Sequence, residues 1–224
     1  MDMDLLGEFL LRCGLPAGRL AELDALRRLR DDLLRDNRQT NLTAIEGEDD
    51  YWLLHVAESL SVGLAAPELL REPLRVADVG CGAGFPLLPL AWANGRLTLV
   101  GMEPRHQRAD FIRREIDALG LANCTVLPRQ AREVALMPDH AGRYDAVLLR
   151  AVGTPGKMLR QVRLLLTGSS GAKVVFYKTP AGVTQERAEA LREAGKFGLT
   201  LRESAAFDLP AAAGRRQFLI FERT

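Results

Sequence analysis

Leu23, Leu26, Leu29 and Leu33 recur every three or four residues, with arginine and aspartate between them. That is the spacing of an amphipathic helix with one buried stripe. Residues 3 to about 36 therefore read as helical, and Gly14-Leu15-Pro16 splits them into a short helix and a longer one. Asn37 to Asp50 is polar and turn-rich. Tyr51 to about Ala65 reads as a further helix that stops near Pro67. Residues 1–70 thus form an N-terminal helical cap. From Leu74 the pattern changes, and 71–224 reads as a single compact unit. Short apolar runs predict strands over 75–79, 97–102, 124–127, 144–149 and 173–178, with a last pair over 199–207 and 217–221. Longer periodic runs between them predict helices over 86–93, 105–119, 154–166 and 183–194. Alternating strands and helices predict an α/β fold: a mostly parallel seven-stranded sheet with helices on both faces. The final two strands, with no long helix between them, predict a closing antiparallel hairpin. Pro210-Ala-Ala-Ala-Gly214, between them, is the nearest thing to a mobile loop in the chain.

Composition narrows the class. The chain has 224 residues, 47% of them hydrophobic, enough for a sizeable core. Its 30 basic and 29 acidic residues leave a formal charge of +1. Global charge therefore selects no partner, and nucleic-acid binding would need a local basic patch. Three cysteines (Cys13, Cys81, Cys124) without a CxxC pair argue against a disulfide framework and against zinc. The acidic start Met1-Asp2-Met3-Asp4 is unlike a secretory signal, and no apolar run approaches a bilayer span. A cytoplasmic enzyme without a metal is the expectation.

The chemistry concentrates in Val76-Ala77-Asp78-Val79-Gly80-Cys81-Gly82-Ala83-Gly84-Phe85-Pro86. An apolar strand ends in an acid, glycine then occupies every second position, and a helix follows. Such a loop lets a ligand approach backbone N–H groups closely. Glu103 follows Gly80 by about 20 residues and ends the next apolar run, where an acid takes ribose hydroxyls. The dinucleotide pattern Gly-x-Gly-x-x-Gly fails, because Phe85 or Leu87 stands where its third glycine belongs. No Gly-Lys-Ser/Thr follows either. The observed Asp-x-Gly-x-Gly-x-Gly resembles motif I of class I S-adenosylmethionine (SAM) methyltransferases with a Rossmann-like fold.

A closer resemblance extends over residues 37–222. Asn41-Leu42-Thr43-Ala44-Ile45, His55-Val-Ala-Glu58-Ser59, Asp78 to Ala91 with Gly-Ala-Gly-Phe-Pro, and Leu149-Arg150-Ala151 together resemble the RsmG (GidB) family. That resemblance implies a SAM-dependent enzyme forming 7-methylguanosine at one guanine, 527, of 16S rRNA, with S-adenosylhomocysteine as product. The implied partner is 16S rRNA or a small-subunit particle, met by a monomer. The chain departs from the family pattern at Cys81, Leu87, Glu103, Gln107 and Gln130-Ala131-Arg132.

On this resemblance, Asp78, Gly80, Gly82, Gly84, Phe85, Glu103, Ala131, Arg132 and Arg150 are the cofactor-binding candidates. Asp78 would face the ammonium end, Glu103 the ribose, and the backbone near Ala131 and Arg132 the adenine. The catalytic candidates are Arg150, Arg216, Lys178 and His55. Guanine N7 carries no proton, so the reaction needs a close, in-line acceptor and no general base. Arg150, at the carboxyl end of the fourth strand, is placed to read guanine O6. Arg215, Arg216 and Lys178 would form with it a basic rim for phosphates. His55 and Glu58 share a helix face that the cap would turn toward the cofactor. Plainer roles stay open: an ion pair for Arg150, packing for His55, a helix cap for Asn41 and a small turn residue for Cys81. So do two other functions, a diverged methyltransferase acting on another RNA or a small molecule, and a non-catalytic SAM-binding assembly factor.

Overall fold

A computed structural model describes residues 1–224. Helices α1 (Met3–Arg12) and α2 (Asp24–Thr40) are joined by a 3-10 turn at Ala17–Glu22. A third helical run, α3, covers 48–60, and its middle turns, Tyr51–Ala57, are π-helical. Then strands alternate with helices: β1 (Arg75–Val79), α4 (Leu87–Ala93), β2 (Thr98–Met102), α5 (His106–Ala118), β3 (Cys124–Leu127), α6 (Ala131–Val134), β4 (Ala146–Arg150), α7 (Pro155–Val162), β5 (Lys173–Lys178) and α8 (Pro180–Lys196). The chain closes with β6 (Thr200–Glu203), β7 (Phe207–Asp208) and β8 (Arg215–Glu222).

The sheet runs β3-β2-β1-β4-β5-β8-β6. The first five strands are parallel, and β8 lies antiparallel between β5 and β6. This is the predicted α/β architecture with two local corrections. The expected strand over 199–207 is broken, and the two-residue β7 pairs separately with β8. Ser204 causes the break: its hydroxyl accepts the Phe218 N–H that a ladder carbonyl would otherwise take. Asn37 is not a turn residue. It continues the Leu26, Leu29, Leu33 stripe of α2, is buried, and accepts the Thr43 N–H through its side chain at 2.9 Å. The four-residue α6 was not predicted, being too short to show a period.

Alternate residues of each strand face opposite sides of the sheet. Val76, Leu148, Val175 and Ile220 pack with α4, α5 and all the N-terminal helices in one apolar cluster of 43 buried residues. Ala77, Val147, Val174 and Phe221 face the other way, against α6, α7 and α8. Residues 1–70 therefore supply part of one layer of the sandwich, and their apolar stripe has no other surface to cover. Leu29 of α2 is fully buried in this shared cluster. Leu29→Ala is expected to lower the unfolding free energy by about 2–5 kcal/mol while leaving one cooperative urea transition. Two separated transitions would show that the cap and the sheet fold independently.

Candidate active site at the carboxyl edge of the sheet

β1 delivers Asp78 beneath the glycine loop. The carboxyl is fully buried, and Oδ2 accepts the Leu87 N–H at 2.9 Å, fixing the start of α4. Oδ1 is buried and has no partner. Desolvation raises the carboxyl to about 7, against the pull of the Leu87 N–H and Arg150. Asp78 is therefore first a helix anchor. Its orphaned oxygen is the atom that a cationic group or its water would satisfy.

The loop itself separates the three glycines. Gly84 has φ +93°, and a Cβ there would stand 2.5 Å from Leu88 Cδ1, so packing excludes a side chain. Gly80 likewise lies against Val152. Gly82, at φ +60°, faces open space, with the nearest atom to an added Cβ the Arg108 guanidinium at 3.8 Å. Glu103 closes the loop from β2. One carboxylate oxygen accepts the Gly82 N–H and the other the Arg105 N–H, both at 3.0 Å. Each oxygen keeps a second acceptor direction, enough for the two hydroxyls of a ribose. The orphaned Asp78 oxygen, the space over Gly82 and the carboxylate of Glu103 fit a SAM-type nucleoside. Ala131 and Arg132 open α6, so their first-turn N–H groups lack intrahelical partners. Ala131 is buried, and the Arg132 side chain is exposed.

Phe85 departs from its expected role. Its ring is buried and stacks on His55, 4.1 Å between centroids, with Tyr51 edge-on at 6.0 Å. It points into the cap and away from the cofactor space. His55 is its partner in that packing: Nε2 meets the Thr43 hydroxyl at 3.0 Å, and Nδ1 is buried without a partner. The motif Asn41-Leu42-Thr43 is thereby tied to the glycine loop through His55. Asn41 ends α2 in the left-handed region at φ +48°. Its carbonyl accepts from Arg108, which also leans over Gly82. Arg108 is thus a second tie between cap and loop.

Arg150, Lys178 and Arg216 meet in a cleft of about 630 Å³ at the carboxyl ends of β4 and β5. The expected free basic rim is not there, because carboxylates answer these cations. Arg216 forks onto Glu58 at 2.8 and 3.3 Å. Arg150 donates to the Leu54 carbonyl at 2.6 Å and lies 3.7 Å from Glu58. Lys178 pairs with Glu186 at 2.8 Å, and Arg215 pairs with Asp208 at 3.2 Å on the surface. Glu58 is thus the hub of the cleft. The sequence marks it as the sole carboxylate in the apolar run Tyr51–Leu60, a group that must find a partner. His55 and Glu58, three apart in and just after the π-helical turns, take different partners, His55 the Phe85 ring and the Thr43 hydroxyl and Glu58 the two arginines. Ala151, just past Arg150, holds φ +54° without being glycine, a strained turn at the floor of the cleft.

No nucleophile competes here. Burial raises the Cys81 thiol well above its usual range and that of Cys124 to about 12. No group of three or more His, Cys, Asp or Glu comes together to hold a metal, and no helix is long and apolar enough to cross a membrane. Burial and the nearby Arg150 push His55 down to about 3. An unfolded histidine titrates near about 6.5, so between those values only the unfolded chain binds the proton. As pH falls below about 6.5 this residue is expected to withdraw about 1.4 kcal/mol of stability per pH unit. Asp78, raised to about 7, acts in the opposite sense between about 7 and 4, because its folded form takes up the proton. Denaturation of wild type and His55→Phe between pH 7.5 and 5 isolates the histidine. The stability difference is expected to shift in favour of the variant as pH falls, and parallel curves would rule this out.

Comparison with known proteins agrees with the geometry. The family profile described as rRNA small subunit methyltransferase G matches residues 22–199. The ribosomal RNA small subunit methyltransferase G of Gloeobacter violaceus is 32% identical over 86% of this chain and 74% of its own length. That of Deinococcus radiodurans is 32% identical over 93% of this chain and 86% of its own. Among solved structures, a SAM-dependent O-methyltransferase from Thermotoga maritima shares the fold at TM-score 0.57 and 19% identity, covering 86% of this chain and 71% of its own. M. jannaschii TYW2, solved with AdoMet, does so at TM-score 0.54 and 19% identity, over 73% of this chain and 76% of its own. A profile spanning this much of the chain, and relatives 32% identical over most of it, place the protein in the GidB family of rRNA small subunit methyltransferases.

Proposed function

We propose that the chain methylates N7 of one guanine in 16S rRNA, at the position 527 that the family resemblance implies, with SAM as donor and S-adenosylhomocysteine as product. The observation that carries this reading is the adjacency of two spaces. One lies over Gly82, flanked by Glu103. The other is the cleft that opens at Arg150, where β4 leaves the sheet next to β1. Bound SAM supplies a sulfonium methyl with a good leaving group. The chain's own part is positional. Glu103 and the loop N–H groups hold the donor side, Asp78 keeps α4 and the loop in register, and Arg150 orients the acceptor base at its O6 edge. His55, neutral and buried, holds the cap against the loop and moves no proton, which suits an acceptor nitrogen that carries none.

The paired state of the cleft cations supports a second reading of the same fold, with another RNA or a small molecule as acceptor. Nuclease digestion of 16S rRNA from a deletion strain and its parent separates the two. 7-Methylguanosine is expected in the parent alone, and identical digests would sink the rRNA reading. Gly82→Asp is expected to abolish SAM binding in calorimetry, since its carboxylate would enter the open space over the loop. Arg150→Ala is expected to hold SAM affinity within about threefold while cutting kcat/KM at least tenfold. Equal loss of both would move Arg150 into the cofactor site.

A further inference from the structure

A second basic feature lies at the opposite edge of the sheet. A cavity of about 580 Å³ is walled by Gly142 before β4, Arg163 and Leu164 after α7, Lys196 and Phe197 at the end of α8, and Arg223 after β8. No carboxylate lines it. The acids near these residues in sequence are already engaged, Glu193 with Lys196 at 2.7 Å and Arg160 at 3.6 Å, and Glu222 with Lys173 at 3.3 Å. Arg163 and Arg223 form neither an ion pair nor a side-chain hydrogen bond, and each has a buried Nε without an acceptor. Two arginines without an ion-pair partner thus line one cavity, half-buried, each with an inner Nε that nothing answers.

The walls that carry them are firm. The Arg223 N–H donates to the Ala172 carbonyl at 2.9 Å, and its own carbonyl accepts from Gly171 at 2.8 Å. Gly142 donates to Leu164 at 2.8 Å. The Arg163 guanidinium lies over the Phe197 ring, 5.0 Å from its centroid, which holds its plane in one orientation. Planar guanidinium forks without competing acids match an oxyanion, phosphate above all.

We propose that this cavity is an anion site that binds a phosphate group between Arg163 and Arg223, separate from the methyl-transfer site. Gly142 precedes β4 and Arg150 ends it, eight positions further on, so at strand rise at most roughly 25 Å separates them. A stacked strand covers that distance in about seven nucleotides. The phosphate can therefore belong to the backbone of an RNA whose target base sits in the cleft, or it can be free in solution. The assignment stands on the cavity and does not depend on the methyl-transfer reading.

The test uses the full chain and the variant Arg163→Gln/Arg223→Gln. Inorganic phosphate is titrated into each while backbone amide shifts around 142 and 164–166 are followed. Saturable shifts are expected in the wild type, at least tenfold weaker in the variant, with SAM affinity equal in both. In parallel, binding of a 16S rRNA fragment is measured against salt. If the phosphate belongs to the RNA, the variant loses one to two units of the log–log slope. If it is free, phosphate still saturates the site and the slopes coincide. Absence of saturation at tens of millimolar phosphate together with equal slopes overturns the proposal. Should the double variant not fold, Arg163→Lys keeps the charge but removes the fork, and is expected to bind phosphate several-fold more weakly.

Discussion

The stack of His55 on Phe85 is the contact on which the site depends. Phe85 belongs to the glycine loop, His55 to the cap, and their rings lie 4.1 Å apart in a buried setting. Burial keeps the imidazole neutral, and the Thr43 hydroxyl occupies its one satisfied nitrogen. Through that pair the end of α2, the middle of α3 and the loop after β1 are fixed relative to one another. Arg108 repeats the tie on the far side of the loop by reaching the Asn41 carbonyl. The N-terminal helices thus form one wall of the site. They can do so only because they share a continuous apolar cluster with the sheet.

The same helical run supplies the electrostatics of the cleft. His55 of this run is buried against Phe85, and Glu58 lines the cleft. Glu58 then gathers Arg216 from β8 and Arg150 from β4, so one carboxylate joins three distant segments. Its side chain is only 12% exposed, so these pairs are less screened than surface ones. Glu58 holds both arginines in fixed orientations, and any anion entering the cleft would have to compete with it for them. That arrangement leaves no bare basic face at the cleft.

The two edges of the sheet have opposite electrostatic character. At the carboxyl edge, Arg150, Lys178 and Arg216 are answered by Glu58 and Glu186. At the amino edge, Arg163 and Arg223 are unanswered in a cavity that holds no acid. A formal charge of +1 conceals this difference, since it depends on where the acids fall and not on their number.

The sequence by itself determined the sheet order's raw material, the glycine loop and the acid after β2. Those signals are local: apolar period, glycine spacing and one carboxylate at a set distance. Strands β1, β3 and β5 lie where the apolar runs place them. The resemblance in Asn41-Leu42-Thr43 and His55 to Ser59 also pointed to residues that meet in space. Only the tertiary structure decided what each side chain does there. Phe85 faces the cap, Asp78 holds a helix start, and Arg150 and Arg216 are held by Glu58. Two causes lie beyond sequence spacing. A π-helical stretch departs from the 3.6-residue period on which face assignments rest, and a buried charge takes whichever partner the fold brings within reach.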